Sequence, residues 1–342
     1  MNFHCYTSFD QLPQNVSALF AQGEKSSIFL SRPWLENLIT TSPEEVHDIL
    51  LASVVSDDEV LALLPLVKCT NNSLRALTHR YSSFHSVLLA DQGDDAVLSC
   101  LANGLRRLPF RGLLLEPVGK EDIGIRHLSQ AMEAHGFACH WWFRFHNWYL
   151  RIESQSFSEY WAGRSGKLRN TVARKRRKLE REHHLEIRIY TGAEVPTAMA
   201  DYHSVYRASW KAHEQYHDLL EGWVARTSQQ GWSRLGVLYI DGQAAAAQLW
   251  FVLCGKANIF RLAYDENWQQ YSPGSILTSA LMEYVIDIDK VEEVDFLTGN
   301  EGYKQDWMSN HRARWALSCV KKEDPSGKFK AVTRAWRGLQ GR

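Results

Sequence analysis

Two apolar runs, 234–240 and 243–253, are separated only by Asp241-Gly242. A two-residue Asp-Gly link is a strong signal for a type I′ hairpin, because both residues tolerate the positive φ that matches strand twist. This part of the chain is therefore expected to pair antiparallel with itself. The elements around it are of both kinds. Hydrophobic spacing predicts helices over 196–216 and 219–230 before the hairpin and a strand over 257–264 after it. A loop over 265–272 and a helix over 273–288 come next. A strand at 293–297, a short helix at 303–308 and a closing strand at 312–320 complete the half.

The first half is read the same way. Helical spacing covers 11–45, with Ser31-Arg32-Pro33-Trp34 as a capped start. Runs 47–55 and 60–68 flank the polar turn 56–59 and predict a hairpin of two largely buried strands. Strands at 74–79 and 86–90, a helix at 94–108, a strand at 112–118 and a helix at 121–135 follow. The aromatic strand 138–152 ends the half, which carries no Gly-rich phosphate loop. A chain of 342 residues exceeds the size at which one core usually keeps growing. Two domains are expected, 1–155 and 156–322, with a basic tail helix over 323–342.

Lys plus Arg and Asp plus Glu balance at 39 each, so no net field draws the molecule to nucleic acid or an anionic membrane. No stretch reaches the roughly 20 apolar residues of a membrane span, and the opening residues lack a basic region followed by an apolar core. A cytoplasmic location is expected. The six cysteines form no CxxC pair and read as thiols in a reducing compartment. Charge is concentrated locally at 164–188, where Leu168, Val172, Lys175 and Leu179 fall at helical spacing. This one-faced basic helix is either a solvated linker or a contact for phosphate-rich RNA, an acidic carrier protein or a nucleotide phosphate.

Three segments can carry chemistry. Gln270-Tyr271-Ser272-Pro273-Gly274-Ser275 is a loop turning directly into a helix at Ile276, and such a turn presents N–H groups and a positive dipole end to a pyrophosphate. It is also an ordinary capped start. His213-Glu214-Gln215-Tyr216-His217 has the HExxH form of a zinc protease, but Gln215 and Asp218 are polar where such helices are apolar and no third ligand follows. Gly163-Arg164-Ser165-Gly166-Lys167 is too short for a nucleotide P-loop and lacks its Ser or Thr.

The order of elements from 160 to 320 resembles the GNAT acyltransferase superfamily, and within it the acetyltransferases associated with bacterial cellulose and exopolysaccharide synthesis. The basic helix, Trp210, the Asp241-Gly242 hairpin, Tyr271-Ser272-Pro273-Gly274 and the run Asp295–Lys304 with Trp307 carry the resemblance. A fainter likeness in the first half is similar to the second copy of the fold in Fem-type aminoacyl transferases. The resemblance implies an α/β (α+β) fold of two tandem GNAT-like domains, each a mixed, mostly antiparallel twisted sheet flanked by helices. It implies an enzyme that moves an acyl group from acyl-CoA, or from an acyl-carrier protein, to an amine of a small molecule or envelope saccharide held between the domains. The alternatives are a tRNA-dependent aminoacyl transferase and a binding module without catalysis. No metal is expected.

The resemblance places donor contacts at Gln270, Ser272, Gly274, Ser275 and Ile276, and acceptor contacts at Trp210 and Glu301. The superfamily's phosphate loop has small residues where this chain has Pro273 and Ser275, and proline has no N–H to give. A carrier protein or tRNA therefore stays open as donor. Tyr303 matches the superfamily's tyrosine acid, the alternative being a surface aromatic. Lys304 matches a Fem-type lysine near the reacting carbonyl, the alternative being a solvated lysine. For the base the candidates are His213, then Asp265, then Asp295.

Overall fold

Short polar turns set the local geometry. Asp57 and Asp58 both take positive φ, 50° and 63°, and so do Asp241 (52°) and Gly242 (81°), giving the two tight hairpins that the sequence predicts. Ser31 caps a helix by accepting from the Trp34 N–H with a proline in its first turn, and Asp94 caps another by accepting from Ala96 and Val97. The computed structural model describes residues 1–42, 46, 48–91, 94–211 and 214–322; His213 and the expected tail helix 323–342 lie outside the described residues.

Contacts divide the chain into two compact units, one holding Met1–Phe145 and the chain from Ala313 onward, the other His146–Arg312. The divisions fall inside two long strands, ten residues before the expected boundary at 155/156 in one case, where Phe137 packs in the first core and Leu150 in the second.

The first unit contains β1 (Asn2–Tyr6), α1 (Val16–Ser26), α2 (Arg32–Thr41), β2 (Ile49–Ser56), β3 (Glu59–Cys69), β4 (Ser73–Ala76), β5 (Leu88–Leu89), α3 (Asp95–Arg107), β6 (Gly112–Val118), α4 (Ile123–Ala134) and the start of β7 (Phe137–Arg151). The second contains the end of β7, then α5 (Phe157–Ala162), α6 (Gly166–Glu182), β8 (Leu185–Thr191), α7 (Val195–Arg207), α8 (His217–Gln229), β9 (Ser233–Ile240), β10 (Gln243–Leu253), β11 (Lys256–Tyr264), α9 (Pro273–Asp287), β12 (Glu293–Asp295), α10 (Lys304–Trp307) and the first residues of β13 (Asn310–Lys321).

The same order of elements occurs twice. Strands β1-β2-β3-β4-β6 in one unit and β8-β9-β10-β11-β12 in the other are antiparallel neighbours except for the last pair of each, β4/β6 and β11/β12, which is parallel. Two helices separate the first two strands of each set, and one longer helix separates the parallel strands. Each unit is thus a mixed, mostly antiparallel sheet flanked by helices, as the sequence leads one to expect.

Several elements differ from expectation, among them β1 and α5, which the sequence reading does not include. The helix predicted over 196–216 stops at Arg207: the Ala208 carbonyl accepts from the Glu266 N–H, and the Ser209 hydroxyl donates to the Tyr206 carbonyl while accepting from the Lys211 N–H. The basic helix, read as far as 188, ends at Glu182, and alternating Leu185, Ile187 and Ile189 form the edge strand β8. The loop over 265–272 is largely a 3-10 turn, Glu266–Tyr271.

In the second unit Trp250, Leu238 and Ile240 from the sheet meet Leu277, Leu281 and Val285 of α9. The approach is close at Gly236, where a Cβ would lie 2.8 Å from Leu281 Cδ1. Beneath β12 a buried polar knot forms. Arg312 reaches Glu293 at 2.9 Å and Asp295 at 2.5 Å, its Nε donates to Asn147 Oδ1 at 2.6 Å, and Asn147 Nδ2 donates back to Asp295 at 2.5 Å. The guanidinium also lies 4.4 Å from the Tyr149 ring centroid. Removing one charge from such a cluster strands the others, so Arg312→Met should destabilise the protein by about 3–5 kcal/mol in urea unfolding. The triple change with Glu293→Gln and Asp295→Asn should recover much of that loss.

Candidate active site

A gap opens where the parallel strands part. β11 and β12 pair only at Lys256–Asn258 with Glu293–Asp295, and β11 continues to Tyr264. Beyond Asp295 the chain stays with β7 through Phe296 N–H to the Trp148 carbonyl at 2.9 Å. The Asp265 N–H bonds to the Ala245 carbonyl on β10 at 2.9 Å. By strand alternation Leu262 and Tyr264 then turn their N–H and C=O groups to the opposite edge, which borders the gap.

One wall is the loop after β12. Leu297 and Gly299 take positive φ, 56° and 101°, and wind the chain round Lys304. The Lys304 ammonium is buried, donates to the carbonyls of Phe296 and Thr298, and pairs with Glu301 at 2.9 Å. It is neither solvated nor free in the gap; it holds the loop shut. Tyr303, one residue earlier, packs its ring 5.7 Å from Phe296 and is 43% exposed. Partial burial and the Glu301 carboxylate raise its pKa, so the phenol keeps its proton.

The other wall follows α7. Trp210 is 48% exposed and its ring packs 4.5 Å from that of Tyr264, tilted by 44°. Lys211 donates to the Leu262 carbonyl at the gap edge, with its Nζ 5.6 Å from the Trp210 ring centroid and 5.9 Å from that of Tyr206. Burial, helped by Arg261 and Lys304 and opposed by Glu214 and Glu301, lowers the Lys211 pKa from 10.5 to about 8. Glu214 in turn pairs with Arg261 at 3.1 Å.

The helix start at α9 lies beside this wall, since a Cβ on Gly274 would come 3.3 Å from Tyr264 Cδ1. Ser272 is left-handed (φ 53°), and the Ser275 and Ile276 N–H groups return to its carbonyl at 3.1 and 3.2 Å. With Pro273 lacking an N–H, only Gly274 in that stretch has an amide without a return bond. The Ile276 side chain is buried, and Gln270 is exposed with its carbonyl accepting from Lys175 of α6. Tyr271 is held from α6 by its hydroxyl on Glu182 at 2.9 Å and by Lys178 at 5.0 Å from its ring. The basic helix thus grips the loop that opens α9.

Of the residues singled out from the sequence, Trp210 and Gly274 meet at Tyr264, and Glu301 pairs with Lys304 beside Tyr303; the Lys211 charge feels both Glu301 and Lys304. Asp265 lies apart, capping the 3-10 turn by accepting from Asn267 N–H at 2.9 Å. Asp295 is occupied by Arg312, Asn147 and the Leu297 N–H. Of the HExxH run, Glu214 precedes α8 and His217 opens it, so these two do not lie within one helix, and His213 lies outside the described residues. Lys211 and Arg261 carry no local motif in the sequence, and Glu214 enters there only as part of the HExxH run; an arginine inside the apolar strand 257–264 is the available signal.

The arrangement offers peptide donors at a strand edge, a protonated phenol and a lysine that titrates near neutrality, the parts needed to move an acyl group to a nucleophile. A family model described as an acetyltransferase (GNAT) domain matches residues 166–305. None of the curated proteins matches the sequence. Among solved structures the chain is similar to FemX, with TM-score 0.65 at 10% identity over 94% of this chain and 98% of that one. It is also similar to the C-terminal domain of a putative lysylphosphatidylglycerol synthetase from Agrobacterium fabrum, with TM-score 0.56 at 11% identity over 95% and 97% of the two chains. L-PGS from Bacillus licheniformis has TM-score 0.52 at 12% identity, covering 82% of this chain and 87% of that one. At these identities the structures speak for the fold alone, which the repeated element order shares across both halves. The gap between β11 and β12 thus lies within the residues, 166–305, that match the acetyltransferase (GNAT) domain model.

Proposed function

We propose that the protein is an N-acyltransferase that moves an acyl group from a thioester, acyl-CoA or acyl-carrier protein, to an amine of a small molecule or envelope saccharide. The observation that carries this is the meeting of Lys211, Trp210 and the Tyr303 loop at the unpaired edge of β11. In the reaction the acceptor nitrogen attacks the thioester carbonyl, with Trp210 and Glu301 contacting the acceptor. The oxyanion takes hydrogen bonds from the Leu262 or Tyr264 N–H, the carbon–sulfur bond breaks, and Tyr303 protonates the departing thiolate. Lys211, partly neutral near pH 8, receives the proton of the attacking amine. Lys304 acts as a positioning residue by shaping the loop that carries Tyr303. Gln270, Ser272, Gly274 and Ser275 line the donor's side, and with few amides there α6 supplies positive charge for donor phosphates.

The cationic α6 keeps aminoacyl-tRNA as the alternative donor. The two part on a thermal-shift screen. A thioester donor predicts stabilisation by at least one of acetyl-, medium-chain or long-chain acyl-CoA or acyl-carrier protein. Absence of any shift with the whole panel, alongside salt-sensitive tRNA binding, would replace the thioester reading.

Once a turnover assay exists, Tyr303→Phe should lower kcat by about 10²- to 10⁴-fold with KM little changed. Undiminished turnover removes Tyr303 from the mechanism. Lys211 makes a second expectation in stability. Below about pH 8 folded and unfolded states both hold its proton and the fold bears the cost of the buried charge. Between about 8 and 10.5 the folded state has released a proton that the unfolded state retains, so stability rises with pH across that window. The difference in urea midpoint between wild type and Lys211→Met should therefore shift in favour of wild type as pH climbs from 8 to 10. A constant difference would show that Lys211 is not perturbed.

A further inference from the structure

On the outer side of α7 and α8 three side chains converge that acyl transfer does not use. His203 lies on α7, and His217 and Glu221 stand one turn apart on one face of α8. His203 Nε2 lies 2.5 Å from Glu221 Oε1, and the two imidazoles are stacked at 4.9 Å with 23° between their planes. Asp218 sits 3.7 Å from His217 Nδ1, able to orient that ring. One donor atom from each of His203, His217 and Glu221 falls within 4.8 Å of the others. Ligands on a tetrahedral zinc with bonds of about 2.0–2.2 Å stand roughly 3.4 Å apart. Shifts of about an ångström in partly exposed side chains close that difference, and two imidazoles with one carboxylate suit zinc rather than magnesium or calcium.

We propose that His203, His217 and Glu221 form a binding site for a divalent transition ion of the zinc class. Such an ion clasps the third turn of α7 to the first turn of α8. The connection between those helices carries Trp210, Lys211 and Glu214, so the clasp fixes both ends of the segment that walls the gap. The proposal stands on side-chain geometry and is independent of what the gap binds.

The test uses the full chain, stripped of metal with a chelator and titrated with Co²⁺ while visible ligand-field absorption is followed. The expected result is one equivalent taken up, displaced by Zn²⁺, with zinc raising the melting temperature. His217 is well exposed, so His217→Ala should fold normally by circular dichroism, and Glu221→Gln keeps the side-chain shape. Each should weaken uptake by more than about tenfold, at least what the loss of a supporting partner costs. No stoichiometric uptake by the wild type would leave a plain histidine–glutamate pair. Uptake retained in either variant would place the ion on other histidines among the 14. Either result overturns the proposal.

Discussion

The second unit depends on one half-buried guanidinium. Arg312 enters where β12 runs beside β7, with Glu293 opposite Arg151 and Asp295 opposite Tyr149, and its bonds to Glu293, Asp295 and Asn147 bind the two strands by side chains as well as by backbone. The strand it secures is only three residues long. Ladder bonds alone would hold so short a strand weakly, and burying two carboxylates without a cation would be costlier still. Because β12 is held on the β7 side, the chain can abandon β11 after Asp295 without the sheet closing again. The opening between the strands is thus a consequence of where the charges sit.

The walls of that opening use the same economy of buried charge. Lys304 is enclosed by carbonyls that a turn of ordinary length would leave unpaired, and the left-handed residues 297 and 299 bring those carbonyls to it. Opposite, Lys211, Arg261 and Glu214 form a second cluster whose balance tips toward positive, since two cations and Lys304 face Glu214 and Glu301. Burial first, and that excess of positive charge after it, lower the Lys211 pKa to about 8. The chemistry proposed for the gap rests on this excess, and on a helix break after Arg207 that places Lys211 at the strand edge and not on a continuing helical face.

Much of this was legible from residues alone. The Asp-Gly hairpin, the Asp57-Asp58 turn, the capped starts at Ser31 and Asp94 and the strand–loop–helix at 257–288 are local signals, and the structure places these elements within a few residues of their expected limits. The failures are of a different kind. The helix over 196–216 has good apolar spacing, and only the tertiary bonds from Glu266 to the Ala208 carbonyl and from Lys211 to Leu262 end it. Strand β8 lies in a basic run whose charges mask the alternation at 185–189. Trp210, Tyr303, Lys304 and Glu301 were nominated by resemblance, whereas Lys211 and Arg261 belong to no local motif, because what makes them chemically unusual is each other's field and their burial.

The edge of β11 that borders the gap has a further consequence for how such a protein changes over time. Whatever lies along it meets peptide N–H and C=O groups, which nearly every residue supplies, and only a few side chains. A grip made of backbone survives replacement of the side chains around it so long as the strand keeps its path. A sequence can then drift very far while the opening persists.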